Sequence, residues 1–147
     1  MTGPYLRFGL ILLASLASMF VISLAQIRSF DHFYLNASNL YIALTGVGAM
    51  GLIMFVGMRR MFTDPRKNVA TVLVLAGVLA GGFALARTAT FVGDKGFLES
   101  MIPHHSRAIL VCQESQITDP QIADLCRRII DAQRLEIDEM KQILTRY

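Results

Sequence analysis

Three long stretches without a charged residue dominate the first part of the chain. They cover residues 8–27, 37–58 and 69–86. At a rise of about 1.5 Å per residue, a helix of any of these lengths can cross a hydrocarbon layer of about 30 Å. Backbone groups in lipid must find their hydrogen bonds within the protein, which favours helices. The pattern therefore predicts three transmembrane helices.

The first stretch has an alternative interpretation as a signal peptide. Ser23 and Ala25 form a small-x-small cleavage pattern. The stretch is long for a signal peptide, and Arg7 is the only basic residue before it. A retained membrane anchor is therefore favoured, with cleavage left open.

Beyond residue 93 the pattern becomes amphipathic. A helix is predicted from Asp94, as a capping residue, to about Ser115, with Pro103 inside it as a kink or as the start of its regular part. Asp119 before Pro120 predicts the start of another helix. The short connection makes the two helices an antiparallel hairpin. The predicted fold is all-α, with three transmembrane helices in residues 1–93 and the hairpin in residues 94–147.

Folding the hairpin at residue 117 or 118 predicts its register. His105 falls opposite Ile130, and Met101 falls opposite Arg134. Met101 and Met140 are then about 9 Å apart along the axis. In that register they share a metal only if their side chains reach toward each other or a second chain contributes.

Composition supports a membrane protein. The 147 residues are 54% hydrophobic and 17% charged, and the mean hydropathy is +0.49, which is too apolar for an ordinary soluble domain. Residues 1–93 carry a net charge of +5 and residues 94–147 carry −2. Basic residues beside membrane segments usually set topology, so the basic balance does not predict nucleic-acid binding.

The loop charges also predict orientation. Arg59, Arg60, Arg66 and Lys67 cluster between the second and third apolar stretches. The positive-inside rule places this loop in the cytoplasm. The amino terminus is then cytoplasmic, and the hairpin lies outside the cytoplasm.

Two small patterns lie within the apolar stretches. Gly77 and Gly81 are spaced for close helix packing, either within one chain or between two chains. The methionines at positions 50, 54 and 58 lie along one helix face. They are ordinary apolar packing residues more often than a path for copper(I).

The hairpin carries the chain's one concentration of soft metal ligands. Met101 precedes His104 and His105 by three and four residues, so a helix brings Met101 to the same side as the histidines. Thioether and imidazole groups suit copper(I) better than calcium or magnesium. His105 also lies on the apolar face, where a single histidine is usually a hydrogen-bonded core residue. His104 points about a quarter-turn away, so one metal need not bind both rings.

The string MIPHH at residues 101–105 resembles a family catalogued as a domain of unknown function, DUF305. Residues 108–109 and the pattern from Ile129 to Met140, with Gln133 and Glu136 within it, extend the resemblance over about residues 97–144. The family includes periplasmic copper-binding proteins of the CopM type, described as ferritin-like helical bundles. Many members have methionine where this chain has Val111, which removes one family ligand.

The resemblance implies a copper site and a partner. Its metal ligands here are Met101, His104, His105 and Met140, with copper(I) as the favoured metal. It also implies a bacterial inner membrane, with the hairpin in the periplasm. A ferritin-like bundle needs four helices, so a homodimer of hairpins is expected. Docking on the chain's own transmembrane helices or on the bilayer is the alternative.

Other polar residues have less specific interpretations. Glu136 is either a metal ligand, an acceptor that orients an imidazole, or a surface charge. Gln133 is a candidate hydrogen-bond partner of His105, and His32 is expected to be solvated. Cys112 and Cys126 are marginally placed for a disulfide, and reduced thiols are favoured, with copper ligation by Cys112 left open.

The sequence does not predict an enzyme. It contains no phosphate-binding glycine loop, no GxSxG motif and no paired Glu-x-x-His pattern. Two functions remain. One is a membrane-anchored copper-binding or copper-buffering protein, and the other is a helical interaction module whose histidines only pack. The expected partners are the lipid bilayer, a metal ion and a second copy, without nucleic acid.

Overall fold

A computed structural model describes residues 3–147. In this part of the chain every regular element is helical, which confirms the predicted all-α class. The five α-helices are α1 (Pro4–Ala25), α2 (Ala37–Gly57), α3 (Pro65–Thr88), α4 (Asp94–Glu114) and α5 (Pro120–Leu144). Single 3-10 turns lie at Phe30–His32 and Arg59–Met61.

Helices α1, α2 and α3 have the length and composition needed to cross a membrane. Many of their large apolar side chains point outward. Ile53 is 74% exposed, for example, and Leu73 is 66% exposed. Exposing so much apolar surface to water is unfavourable, so lipid is the natural surrounding of these faces.

The starts of α3 and α5 follow from the same local chemistry. Asp64 accepts hydrogen bonds from the backbone N–H groups of the second and third residues of α3, and Pro65 occupies the first helical position. Asp119 and Pro120 repeat this arrangement at α5, as predicted. The predicted cap at Asp94 is wrong, because Gly93 occupies the N-cap position and Asp94 is already helical.

Contact between α2 and α3 depends on glycines other than the predicted pair. A Cβ atom on Gly48 would lie 2.6 Å from the backbone nitrogen of Leu79, and one on Gly82 would lie 2.9 Å from that of Thr45. Only glycine allows this approach. Gly77 and Gly81 have open space where a Cβ would lie, so they do not make the close contact.

An apolar core joins α1, α2 and α3. Its buried side chains are Phe8, Leu12, Val47, Phe55, Phe62 and Leu75. Met50, Met54 and Met58 are partly buried against this core, which is the ordinary packing use of methionine.

The chain separates into two compact units. The first contains the chain up to Val21 and Ser38–Thr90, and the second contains Ile22–Ala37 and Phe91–Tyr147. The connection between α1 and α2 therefore groups with the hairpin, although about sixty residues separate them in the chain. The predicted division at residue 93 did not anticipate this grouping.

Candidate metal site on the helical hairpin

The hairpin of α4 and α5 has its own apolar core. Leu98, Ile102, Ile109, Ile137 and Met140 are buried in it, and partly buried side chains pack around them. These include Tyr34 from the connection between α1 and α2, and Met101 and Ile130 from the hairpin. Ile122, in the first turn of α5, is 51% exposed and lies outside this core.

The register of the hairpin differs from the predicted one. His105 Nδ1 lies 3.1 Å from Glu136 Oε2, so His105 faces Glu136 instead of Ile130. The connection has extended backbone at Ser115 and Asp119, and we infer that α5 begins beyond the end of α4 rather than beside it. The predicted register had assumed that the last residue of α4 and the first residue of α5 lie at the same level.

The two predicted thioether ligands belong to the same apolar cluster of the hairpin. Met101 lies four residues before His105 on α4, and Met140 lies four residues after Glu136 on α5. Because the two helices are antiparallel, the path from His105 to Met101 and the path from Glu136 to Met140 run in the same direction along the hairpin. Met140 is 8% exposed, and Met101 packs against the same cluster. The contact between His105 and Glu136 thus favours an axial offset between the two methionines shorter than the predicted value of about 9 Å.

His105 is the predicted ligand with the most unusual surroundings. Its side chain is 13% exposed, and its buried Nδ1 atom lacks a hydrogen bond within the described chain. The nearby Glu136 oxygen is close enough for an ion pair, but its direction does not fit a hydrogen bond. Burial lowers the pKa of His105, with a smaller lowering from His104, while the Glu136 carboxylate raises it. The neutral imidazole, which is the form that binds metals, is therefore favoured.

His104 has a different environment. Its side chain is exposed, and its ring centre lies 5.8 Å from that of His105. The sequence had predicted that the two rings would point in different directions, and the structure confirms this. His104 is therefore open to solvent, while His105 is turned toward α5.

Gln133 contacts a different partner from the predicted one. Its Nε2 donates a hydrogen bond of 3.0 Å to Glu136 Oε2, not to His105. The two residues are three positions apart on α5, so they lie on one helix face. Gln133 thereby holds the same carboxylate oxygen that lies nearest to His105 Nδ1.

Sequence reasoning missed a polar contact centred on Ser106. The Ser106 side chain is fully buried. Its Oγ accepts a 2.7 Å hydrogen bond from the backbone N–H of Arg28, and it lies 2.8 Å from His32 Nδ1. Ser106 lies four residues after Ile102 and three before Ile109, so it is a polar residue on the apolar face of α4. That position is the feature of the sequence from which a buried polar contact could have been predicted.

His32 is not solvated, contrary to the prediction. Its side chain is 14% exposed. Burial lowers the pKa of His32, with a further lowering from Lys141, while Asp31 and Asp138 raise it. The prediction failed because contacts between His32 and the hairpin join residues more than seventy positions apart.

Two further contacts tie the same connection to the hairpin. Lys141 forms an ion pair with Asp31, and the Lys141 hydrogen bond is the main cause that lowers the pKa of Asp31 to about 2. Arg107 donates a hydrogen bond to Gln26. Both helices of the hairpin therefore contact this connection.

Cys112 and Cys126 form a disulfide, which corrects the expectation of reduced thiols. Their Cα atoms are 5.4 Å apart, well within the range that a disulfide needs. The predicted register had left Cys126 about one turn too far away. A disulfide sulfur is not a thiolate, so in this state Cys112 is not a copper ligand.

No three His, Cys, Asp or Glu side chains converge as a metal-binding cluster within residues 3–147. The predicted set is the His105 imidazole on the core face, the thioethers of Met101 and Met140 about one helical turn along the hairpin, and the exposed His104. Thioethers bind copper(I) and contribute little to zinc or magnesium sites. The residues therefore fit a soft metal better than a hard one.

Comparisons with known proteins support the resemblance seen in the sequence. Residues 83–144 match the family described as Domain of unknown function (DUF305). "Uncharacterized protein L153" of Acanthamoeba polyphaga mimivirus is 33% identical over 113 residues, which cover 75% of this chain and 72% of the viral protein. No solved structure matches the chain. By the family match and the similarity to this relative, the chain belongs to the DUF305 family.

Proposed function

We propose that this protein is a membrane-anchored metal-binding protein whose hairpin binds copper(I) outside the cytoplasm. The observation that carries the proposal is the alignment of Met101 and His105 on α4 with Met140 and Glu136 on α5. Copper(I) accepts two or three soft ligands, and two thioethers with one imidazole supply such a set. Binding or buffering of the metal is proposed, without catalysis.

Each residue has a role in this proposal. Met101, His105 and Met140 are the ligands nearest the hairpin core. His104, which is exposed, supplies a second imidazole at the rim. Glu136 orients the His105 ring and is itself held by Gln133, the kind of supporting contact that commonly tunes a metal-bound histidine.

The proposed location outside the cytoplasm has two lines of support. Arg59 and Arg60 lie between α2 and α3, and Arg66 and Lys67 lie in the first turn of α3, which favours the cytoplasm for this end of the two helices. The disulfide between Cys112 and Cys126 fits an oxidising compartment. In a bacterium this side is the periplasm, and the membrane is the inner membrane.

A copper(I) competition experiment tests the binding proposal. The reduced metal is titrated into full-length protein in detergent against a copper(I) chelator. Met101→Leu and Met140→Leu keep side-chain volume and remove sulfur, so both should lower copper(I) affinity with little loss of stability. Met61→Leu, on an exposed methionine outside the hairpin, is the matched control. Equal affinity in all four proteins would contradict the proposal and favour a packing role.

The histidine variants separate the ligand from its neighbour. His105→Ala should weaken binding more than His104→Ala, and the double variant should abolish it. Glu136→Gln should weaken binding about 10- to 100-fold, whereas Glu114→Gln, at the exposed end of α4 away from the ligands, should not. Binding should also weaken as the pH falls below about 6.5, because a ligating histidine must be neutral.

We also propose that two hairpins associate into a homodimer. Several large apolar side chains of the hairpin remain exposed, and they include Phe97, Val111, Leu125 and Leu135. Leu135 is 72% exposed, so Leu135→Asp should prevent association without disturbing the hairpin core. Crosslinking in detergent should give a dimer for the native chain and a monomer for the variant. A native chain that stays monomeric at all concentrations would exclude the homodimer.

A further inference from the structure

A polar cleft lies between the α1–α2 connection and the hairpin, within the second compact unit. Its volume is about 420 Å³. Arg28, Ser29 and His32 line it from the connection, and Arg134 and Asp138 line it from α5. Side chains of the hairpin core form the rest of its wall. The cleft is separate from the proposed metal ligands.

The two arginines give the cleft its chemical character. The Arg134 side chain forms no hydrogen bond or ion pair with another residue in the range 3–147. The Arg28 side chain donates from Nε to Gln113 Oε1 at 2.5 Å, and it forms no ion pair with a described carboxylate. Two guanidinium groups that line one cleft without carboxylate partners are suited to bind an oxyanion, because each presents several donors in a fixed plane.

The other charges in the cleft leave a positive balance. Asp138 is the one carboxylate that lines it, opposed by two guanidinium groups. Asp31 lies on the same connection but is paired with Lys141. His32 is held by Ser106, and burial lowers its pKa, so it is a neutral polar group at pH 7. Ser29 adds a hydroxyl to the lining.

We propose that this cleft binds a phosphate group, with Arg28 and Arg134 as its principal contacts. A volume of about 420 Å³ holds a phosphate together with the organic part that carries it. The walls of the hairpin core offer apolar contact to that part. Asp138 selects against ligands that present a bare carboxylate or phosphate on its side of the cleft.

The phosphate has two possible sources, a lipid headgroup or a soluble compound. Arg28 is three residues beyond the end of α1, and three residues span at most about 11 Å. If α1 crosses a membrane, Arg28 therefore lies near the headgroups, where basic residues attract anionic lipids. A soluble phosphate compound would meet the same two guanidinium groups.

Calorimetric titration of full-length protein with pyrophosphate tests the site. The protein is held in an uncharged detergent at neutral pH. Arg134→Gln should weaken binding at least about tenfold, the effect of losing charge-assisted hydrogen bonds. Because Arg134 has no other partner within the described chain, this variant should fold normally, as circular dichroism checks. Arg128→Gln is the control, since Arg128 lies on α5 outside the cleft and pairs with Asp124.

The results separate a specific site from general attraction. Saturable binding that Arg134→Gln weakens and Arg128→Gln does not would support the proposal. Absence of saturable binding would overturn it, as would an equal loss in both variants.

Nanodiscs distinguish the two sources of phosphate. Pyrophosphate is titrated into the native protein and both variants, in discs of phosphatidylcholine and in discs that also contain phosphatidylglycerol. Surface potential affects all three proteins alike. If a lipid headgroup occupies the cleft, the difference between native protein and Arg134→Gln disappears in the anionic discs. If the ligand is soluble, the difference stays the same in both discs.

Discussion

Replacement of Ser106 by alanine is the sharpest test of how the α1–α2 connection is held to the hairpin. Ser106 is fully buried, and its hydroxyl contacts both the Arg28 backbone N–H and the His32 ring. The variant removes one oxygen atom and creates almost no cavity. What it removes is the hydrogen-bonding partner of two partly buried groups that belong to a distant part of the chain.

The expected cost follows from those two groups. An N–H that loses its partner at this partly buried contact costs about 1–2 kcal/mol, and loss of the histidine contact adds about 1 kcal/mol. Alanine is a better helix former than serine and returns roughly 0.5 kcal/mol. The attachment of the connection should therefore weaken by about 2 kcal/mol, which corresponds to roughly a 30-fold change in its opening equilibrium.

Hydrogen exchange of the full-length protein measures this opening directly. The Arg28 amide and its neighbours should exchange roughly 30-fold faster in Ser106→Ala, since local opening governs their exchange. Ser100→Ala is the matched control on the same helix. The Ser100 hydroxyl bonds only to the Phe97 carbonyl one turn earlier, so this variant should change exchange little. Equal exchange rates at Arg28 in both variants would refute the role assigned to Ser106.

Three further predictions follow from the same unit. Serine at both Cys112 and Cys126 should destabilise the hairpin by about 3 kcal/mol, the estimate for a loop of this length, as measured by its resistance to proteolysis; equal resistance would argue against the bond. Ile137, at 2% exposure, should cost about 2–5 kcal/mol when replaced by alanine, while Leu135→Ala in the same helix should cost less than about 0.5 kcal/mol in the same assay. Burial lowers the pKa of His32 below its ordinary value of 6.5, so the unfolded chain binds more protons as the pH falls below that value. Attachment of the connection is then complete above pH 6.5 and is lost as the pH falls through the folded pKa of His32. The Arg28 exchange rate, corrected for the intrinsic pH dependence of amide exchange, should therefore rise as the pH falls, and a corrected rate that stays constant would contradict this.

Much of the fold was predictable because it depends on short-range pattern. A stretch of eighteen or more residues without charge has few stable solutions other than a membrane helix, and α1, α2 and α3 have the predicted length and composition. Asp119 before Pro120 determines the start of α5 by local hydrogen bonding. The period of the apolar residues identified His105 and Met140 as members of the inner face.

The candidate site was only partly predictable from the same pattern. Helical periodicity says which face a residue occupies, but not how far one helix slides along its neighbour. The extended connection between α4 and α5 sets that offset, and it places His105 beside Glu136. The same offset brings Cys112 to Cys126.

By itself, then, the sequence determined the helices, their inner faces and the family. The tertiary structure decided which residues meet. It selected Gly48 and Gly82 for the close approach of α2 and α3, and it buried His32 against Ser106. These contacts join residues that are tens to more than seventy positions apart, and their energies depend on packing and desolvation, which leave no periodic trace in the chain.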